Sequence, residues 1–322
     1  MRLVTTDIEA AYSVKVPFRL PYHSGGMFHG LFGRALRTVA CPEVPCCEGP
    51  CARSQPPGAA GESSGSGECT WRRLFSPPPR VPAPHRLLVG QKEPPGPVVL
   101  RIPPPGGEEM LVGKTLSLGL RLFGETDGDV GVLEKALTRM AELPFAEDRG
   151  RVALRSITRY SAQDVTANVG SAAPAESSTT DVEGEQITRV MVRFETPARI
   201  KRAGDVTTEI DFATLFMQVW RRLTLLSALY GEYGDADDAT FQRLRALATT
   251  VKTVEKRLVP LSWEHLSAET GERKRMRGVI GHLVFEGPSL GALVPALMAG
   301  EAVHAGGGTS FGLGRLSVNV VQ

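Results

Sequence analysis

Leu111 to Phe123 reads LVGKTLSLGLRLF, with leucine at 116, 118, 120 and 122. Alternation at every second residue is the signature of a strand with one face in a core. Val98 to Ile102, just upstream, reads as a partner strand. Downstream, Val130 to Leu143 changes to a helical period, and Arg151 to Tyr160 returns to a strand. Working back, Gly26 to Val39 places Phe28, Leu31, Phe32, Ala35, Leu36 and Val39 at helical spacing, and Leu3 to Val16 reads as extended. The order is β-α-β-β-α-β.

The second half repeats that order. Ile187 to Ile200 is a strand, with Val190, Val192 and Phe194 alternating. Asp211 to Tyr230 is a long amphipathic helix, continued after a turn by Thr240 to Ala248. Thr250 to Val259 and Met276 to Phe285 are strands, Ser289 to Met298 is a helix, and Thr309 to Val321 is the last strand. Two such units in tandem predict an α+β protein of two ferredoxin-like (βαββαβ) domains. Its 322 residues suit two domains of about 100–200 residues each.

Proline marks the interruptions. Of 24 prolines, 16 lie between Cys41 and Met110. Proline lacks a backbone N–H and disfavours helix at the residue before it, so this stretch cannot be regular structure. We expect residues 1–160 to form the first domain, with an irregular Pro/Cys-rich insertion at 41–96 after the first helix. Residues 161–186 lack Lys and Arg altogether and read as a solvated linker, leaving 187–322 as the second domain.

Lys plus Arg is 37 and Asp plus Glu is 35, a net charge of +2. Bulk charge therefore cannot hold a nucleic acid, and any such binding must come from local patches. No apolar run reaches the ~20 residues that span a bilayer. The first eleven residues carry Asp7 and Glu9 and no apolar core of a leader, so a cytoplasmic protein with no membrane partner is expected.

Four stretches carry chemistry. Gly306 to Gly314 holds five glycines in nine positions, followed by Arg315. Glycine permits positive φ and close approach of amides to a phosphate, so Gly306, Gly307, Gly308, Thr309, Ser310 and Arg315 are candidate phosphate contacts. A tight helix-to-strand turn explains the same composition. Pro21 to Arg37 includes Tyr22, His23, His29, Arg34 and Arg37, two of the six histidines among them. An imidazole there can take and return a proton near neutral pH, or simply be a packed side chain. Glu272 to Arg277 holds four cations in six positions, Arg273, Lys274, Arg275 and Arg277, and Lys201 and Arg202 extend that patch. They suit phosphate or merely a solvated loop. Cys41, Cys46 or Cys47, Cys51 and Cys69 offer a loosely spaced ligand set for a structural zinc, against free thiols. Five cysteines, an odd number, argue against a disulfide framework.

The helix Phe28-His29-Gly30-Leu31-Phe32-Gly33-Arg34-Ala35-Leu36, the Cys-containing Pro-rich insertion, the Arg275-Met276-Arg277-Gly278 strand and the terminal glycine loop occur in that order. In this order they resemble the CRISPR-associated RAMP superfamily, in particular its endoribonucleases that cut CRISPR repeat RNA. That branch carries a first helix of the form apolar-Arg/His-Gly-x-apolar-Gly-x-Ala-Leu. Where its basic strand has Gly-Gly, this chain has Arg277-Gly278.

The resemblance implies metal-independent cleavage, in which a 2′-hydroxyl attacks the adjacent phosphate. The products are a 2′,3′-cyclic phosphate and a 5′-hydroxyl, and the crRNA is kept for an effector complex with other CRISPR subunits. It places a catalytic histidine on or just before the first helix, which fits His29, with His23 as the alternative and Tyr22 as a positioning or donor group. In some members Arg or Lys does this work instead. Arg34, Arg37 and Lys201 become phosphate-stabilising candidates, and Arg273 to Arg277 would grip the A-form stem. The competing readings are a non-catalytic crRNA-binding subunit and an unrelated ferredoxin-like metabolic or metal-binding protein.

Overall fold

A computed structural model describes residues 1–41, 70–124, 127–167, 187–202, 204–233, 237–266 and 273–321. The first half contains β1 (Arg2–Val16), β2 (Phe18–Arg19), α1 (Gly25–Ala40), α2 (Thr70–Phe75), β3 (Val98–Arg101), β4 (Glu109–Met110), β5 (Thr115–Phe123), α3 (Asp127–Met140), β6 (Arg151–Arg159) and β7 (Gln163–Thr166). The second contains β8 (Arg189–Ala198), β9 (Lys201–Arg202), β10 (Asp205–Val206), α4 (Phe212–Tyr230), α5 (Asp238–Thr249), β11 (Lys252–Leu266), β12 (Arg273–Glu286), α6 (Leu290–Val303) and β13 (Leu316–Val320). No helix among the described residues is long and apolar enough to cross a membrane.

The two main sheets share one topology. The first runs β3-β5-β1-β6 and the second β11-β12-β8-β13. Counted within each unit, both place the strands in the order second, third, first, fourth, and every pairing is antiparallel. This is the duplicated ferredoxin-like architecture. Side chains alternate along a strand, so β1 turns Ile8, Ala10, Tyr12 and Val14 into the core beneath α1 and α3. The Tyr12 hydroxyl donates to the Leu137 carbonyl at 2.8 Å. The α1 stripe of Phe28, Leu31, Phe32, Ala35 and Leu36 closes that core. In the second half, α4 and α6 cover the sheet with Phe212, Phe216, Val219, Leu293 and Leu297.

Several expectations are corrected. The leucine strand begins at Thr115 rather than Leu111, because Gly113 has φ +89 and breaks the extended run; Leu111 and Val112 are exposed. The last strand begins at Leu316 rather than Thr309. Residues Thr309–Phe311 form a 3-10 turn, and Gly312 and Gly314, at φ +73 and +70, cannot lie in a strand. Within 161–186, expected as a linker, β7 pairs with the start of β1. Within the expected irregular insertion, α2 forms because Trp71, Leu74 and Phe75 recur at helical spacing and face α1. The rest of the insertion up to Cys69 lies outside the described residues.

The halves are joined by shared packing. Leu3, Val99 and Phe123 of the first half belong to the core of the second. Arg2 and Glu232 exchange backbone hydrogen bonds of 3.0 and 2.9 Å. The chain from Pro77 to Gly96 crosses over to α4, where Leu88 packs on Leu225 and Leu229. This strap is fastened by the Tyr230 hydroxyl on the Pro95 carbonyl at 2.8 Å and by an Arg86–Asp238 ion pair.

Candidate active site

The glycine-rich loop is knitted into the second half before it reaches the first. His304, at φ 62 after the last turn of α6, is buried and its Nδ1–H donates to the Leu313 carbonyl at 3.2 Å. Burial, reinforced by the Arg222 guanidinium, pushes its imidazole down to about 3, so it is neutral. The Ala305 amide bonds Gly314 O at 2.8 Å, Gly307 bonds Arg199 O at 3.0 Å, and Gly314 bonds Pro197 O at 3.0 Å. Thr196 donates to Gly312 O at 2.7 Å. A Cβ on Gly314 would lie 1.8 Å from the Ala305 carbonyl oxygen, so only glycine fits. Among the described residues, the amides of Gly308, Thr309 and Ser310 make no backbone bond of this kind and stay available.

The tip of this loop meets α1. A Cβ on Gly25 would lie 2.0 Å from the Phe311 carbonyl oxygen, so the helix start and the loop touch backbone to backbone. One turn on, the His29 ring packs against Phe311 of the loop and Phe75 of α2, each centroid 4.3 Å away. Phe75 is seated over Gly33, and Trp71 Nε1 donates to the Gly33 carbonyl at 3.1 Å. An Arg73–Asp129 ion pair ties α2 to α3.

His29 opens on a cleft of about 650 Å³ between the halves. Lys201, Arg221, Arg222 and the Gly306–Ser310 backbone line it from the second half; Phe75, Pro77, Pro94 and Pro95 line it from the first. Arg222 donates through Nε to the Val303 carbonyl, and burial draws its guanidinium down to about 10. Among the described residues no carboxylate lies within ion-pair distance of Lys201, Arg221 or Arg222, although Glu93 stands on the cleft wall. The arrangement presents an imidazole edge, three cations and unengaged amides to one space.

The other expected residues are dispersed. His23 is 5% exposed, with its ring 5.1 Å from Trp263, and Tyr22 beside it is half exposed; neither lines the cleft. Arg34 and Arg37 lie on the outer face of α1, with Arg37 over the Trp71 ring at 5.8 Å. Arg202 is exposed on β9. Arg273 pairs with Glu147 at 3.0 Å and Glu264 at 3.2 Å, and Arg275 donates to Ser262 at 2.8 Å. Lys274 and Arg277 are exposed on the same strand, whose partner Trp263 reaches His23, so the basic hairpin begins near the start of α1. Arg315 leaves the loop on its other side, in a second cleft of about 390 Å³ with Asp7 and Arg101. There burial, then Arg101, lowers its guanidinium.

Cys41 is disulfide-bonded. This corrects two expectations, since a sulfur in a disulfide is no thiolate ligand and the chain does carry a disulfide. Cys47, Cys51 and Cys69 lie outside the described residues, among which no group of three His, Cys, Asp or Glu is close enough to hold a metal. Sequence reasoning assigned no role to Arg221, Arg222, Phe75 or Phe311. Arg222 had a signal: it lies three residues after Val219 and four before Leu226, at the border of the buried stripe of α4, where a cation needs a reason.

Comparison with known proteins adds two family models. One described as the CRISPR-associated endoribonuclease Cas6 matches residues 192–316, and one described as an N-terminal domain, AF_1859_N, matches residues 3–179. No curated protein matches the chain. Among solved structures, a Cas6 product complex is 16% identical with a TM-score of 0.55, over 98% of this chain and 100% of that one. Cas6 of Thermus thermophilus is 15% identical with a TM-score of 0.51, over 98% and 99%. A chain of a partial Cas6-RT-Cas1–Cas2 complex is 9% identical with a TM-score of 0.57, over 99% of this chain and 46% of that one. At these identities the likeness is one of fold.

Proposed function

We propose that the chain is a CRISPR-associated endoribonuclease of the Cas6 family, whose model matches residues 192–316, and that it cuts CRISPR repeat RNA at the His29 cleft. The carrying observation is the convergence of His29, Lys201 and the Gly306–Ser310 backbone on one cleft. Internal transesterification needs a group that takes the 2′-hydroxyl proton, one that protonates the leaving 5′-oxygen, and positive charge around the phosphorane. His29 supplies proton transfer. Lys201 and Arg221 supply charge, and the amides of Gly308, Thr309 and Ser310 hold non-bridging oxygens. His23 is buried against Trp263, which favours His29 over it for contact with substrate.

The stem lies on the exposed cations. Arg273, Lys274, Arg275 and Arg277 project from one hairpin, and Arg34, Arg37 and Arg202 are exposed as well. An A-form stem is read through its phosphates and 2′-hydroxyls, which such side chains suit. The glycine loop beside the cut would retain the crRNA for an effector complex of other CRISPR subunits, in the cytoplasm where the transcript is made. Because the internal nucleophile is the ribose hydroxyl, the reaction needs no metal-activated water, and the cations of the cleft take the place of a metal in balancing the phosphorane charge. Any zinc on the cysteines outside the described residues is structural, and elemental analysis of purified protein tests for it.

His29→Ala is expected to lower cleavage of repeat RNA by about 100-fold or more with binding retained, since acid–base catalysis contributes about 10²–10⁴-fold. The assay is run in excess EDTA, and product ends are identified as 2′,3′-cyclic phosphate and 5′-hydroxyl. Cleavage by the variant at the parental rate would reject the role of His29; loss of parental activity in EDTA would reject the metal-free route.

A further inference from the structure

We infer that the cleft beside His29 is a pocket for one unpaired nucleotide next to the scissile phosphate, an inference that rests on the endoribonuclease reading above. Its volume, about 650 Å³, falls in the range of pockets that enclose a small ligand and leaves no room for a paired stem. Its two walls differ in chemistry in the way a nucleotide does. On the strap side, Phe75, Pro77, Pro94 and Pro95 offer flat apolar surface for a base. On the α4 side stand Lys201, Arg221 and Arg222. Among the described residues Arg222 makes one hydrogen bond, to the Val303 carbonyl, while a guanidinium has five N–H groups, so an anion arriving there finds donors ready. Glu93, exposed on the strap side, repels a phosphate at that wall and so orients the nucleotide with its phosphate toward α4.

Two amides face the same space. Gln91, on the strap, donates from Nε2 to the Leu87 carbonyl at 2.7 Å, which holds its side chain and leaves Oε1 as an acceptor. Gln218, half-buried on α4, makes no side-chain hydrogen bond among the described residues, so its carbonyl oxygen and its NH₂ are both open. Donors and acceptors at the edge of a flat apolar slot discriminate among bases, because a wrong base leaves them unpaired. The cleft therefore reads the identity of one unpaired residue, while the hairpin cations grip the stem without regard to sequence.

The test is single-turnover cleavage of a pool of hairpin RNAs with randomised single-stranded flanks, with products identified by sequencing. The parental chain is expected to show a preference of about tenfold or more at one unpaired position beside the cut, the size a hydrogen-bonding pocket readily gives. With Gln91→Ala and Gln218→Ala combined, favoured RNAs should fall to the rate of disfavoured ones, flattening the preference to within about twofold. A single Arg221→Glu change, at an exposed position, should slow all pool members while the preference stays. Parental cleavage without preference at any unpaired flanking position, or a preference that survives the double substitution, would overturn the pocket and leave the endoribonuclease reading standing. No parental cleavage of any pool member would overturn that reading and the pocket with it.

Discussion

His304 sits where a proton cannot follow it. Its ring is buried and bonded to Leu313, and burial holds it neutral down to about pH 3, whereas in an unfolded chain it titrates at its ordinary value of 6.5. Below pH 6.5 the unfolded state binds a proton that the folded state refuses, so folding stability falls as pH falls, until about pH 3. The slope is about 1.4 kcal/mol per pH unit, or about 2 kcal/mol between pH 6.5 and 5. His304→Gln keeps an N–H for Leu313 and cannot titrate, so urea midpoints at pH 5 and 6.5 should lie closer together than in the parental chain. Equal pH slopes in the two proteins would rule out this origin. The histidine proposed for catalysis differs in place: His29 is half-buried on the cleft, with its ring between Phe75 and Phe311.

The decisive contact between elements is α1 against the glycine loop. Gly25 and Phe311 approach so closely that no side chain fits at 25, and the same approach puts the Phe311 ring on His29. Gly25→Ala should cost about 1–3 kcal/mol through overpacking. It should also slow cleavage more than it weakens RNA binding, because the added methyl pushes the loop from His29 while leaving the hairpin cations alone. Thermal unfolding and single-turnover rates measure both. A variant with parental Tm and rate would mean that helix and loop do not meet as described.

At the scale of the whole molecule, the Pro77–Gly96 strap makes one wall of a cleft whose other wall belongs to the second half. Tyr230 and Tyr233 hold it there, the latter through His85 Nε2 at 3.0 Å. The Leu87 amide donates to His85 Nδ1, so the ring proton is on Nε2 and points to Tyr233. Tyr230→Phe with Tyr233→Phe removes two hydrogen bonds of about 0.5–1.5 kcal/mol each, which should raise strap opening about tenfold or more. Limited proteolysis between 76 and 97 reports it, and an unchanged rate would show that apolar packing on Leu225 and Leu229 suffices alone. RNA affinity should also fall steeply with salt, since its charge contacts come from local patches on a chain of net charge +2.

The duplicated βαββαβ order was legible in the chain because its signals are local. Leucine at every second residue from 116 to 122 and the α1 stripe from Phe28 to Leu36 report their own faces whatever packs on them. The glycines at 306–314 announced a loop with positive φ, and His29, Lys201 and that loop were already candidates. The missed features depend on residues far apart in sequence. Whether His23 or His29 reaches open space depends on Trp263 covering one and Phe75 and Phe311 flanking the other. Arg222 gains its place at the cleft from α6 and the strap, and Cys41 took a disulfide that spacing did not suggest. Periodicity along the chain thus determined which faces are buried. Only tertiary structure decided which side chains share a space, because that depends on how the two duplicated halves dock and no local pattern encodes it.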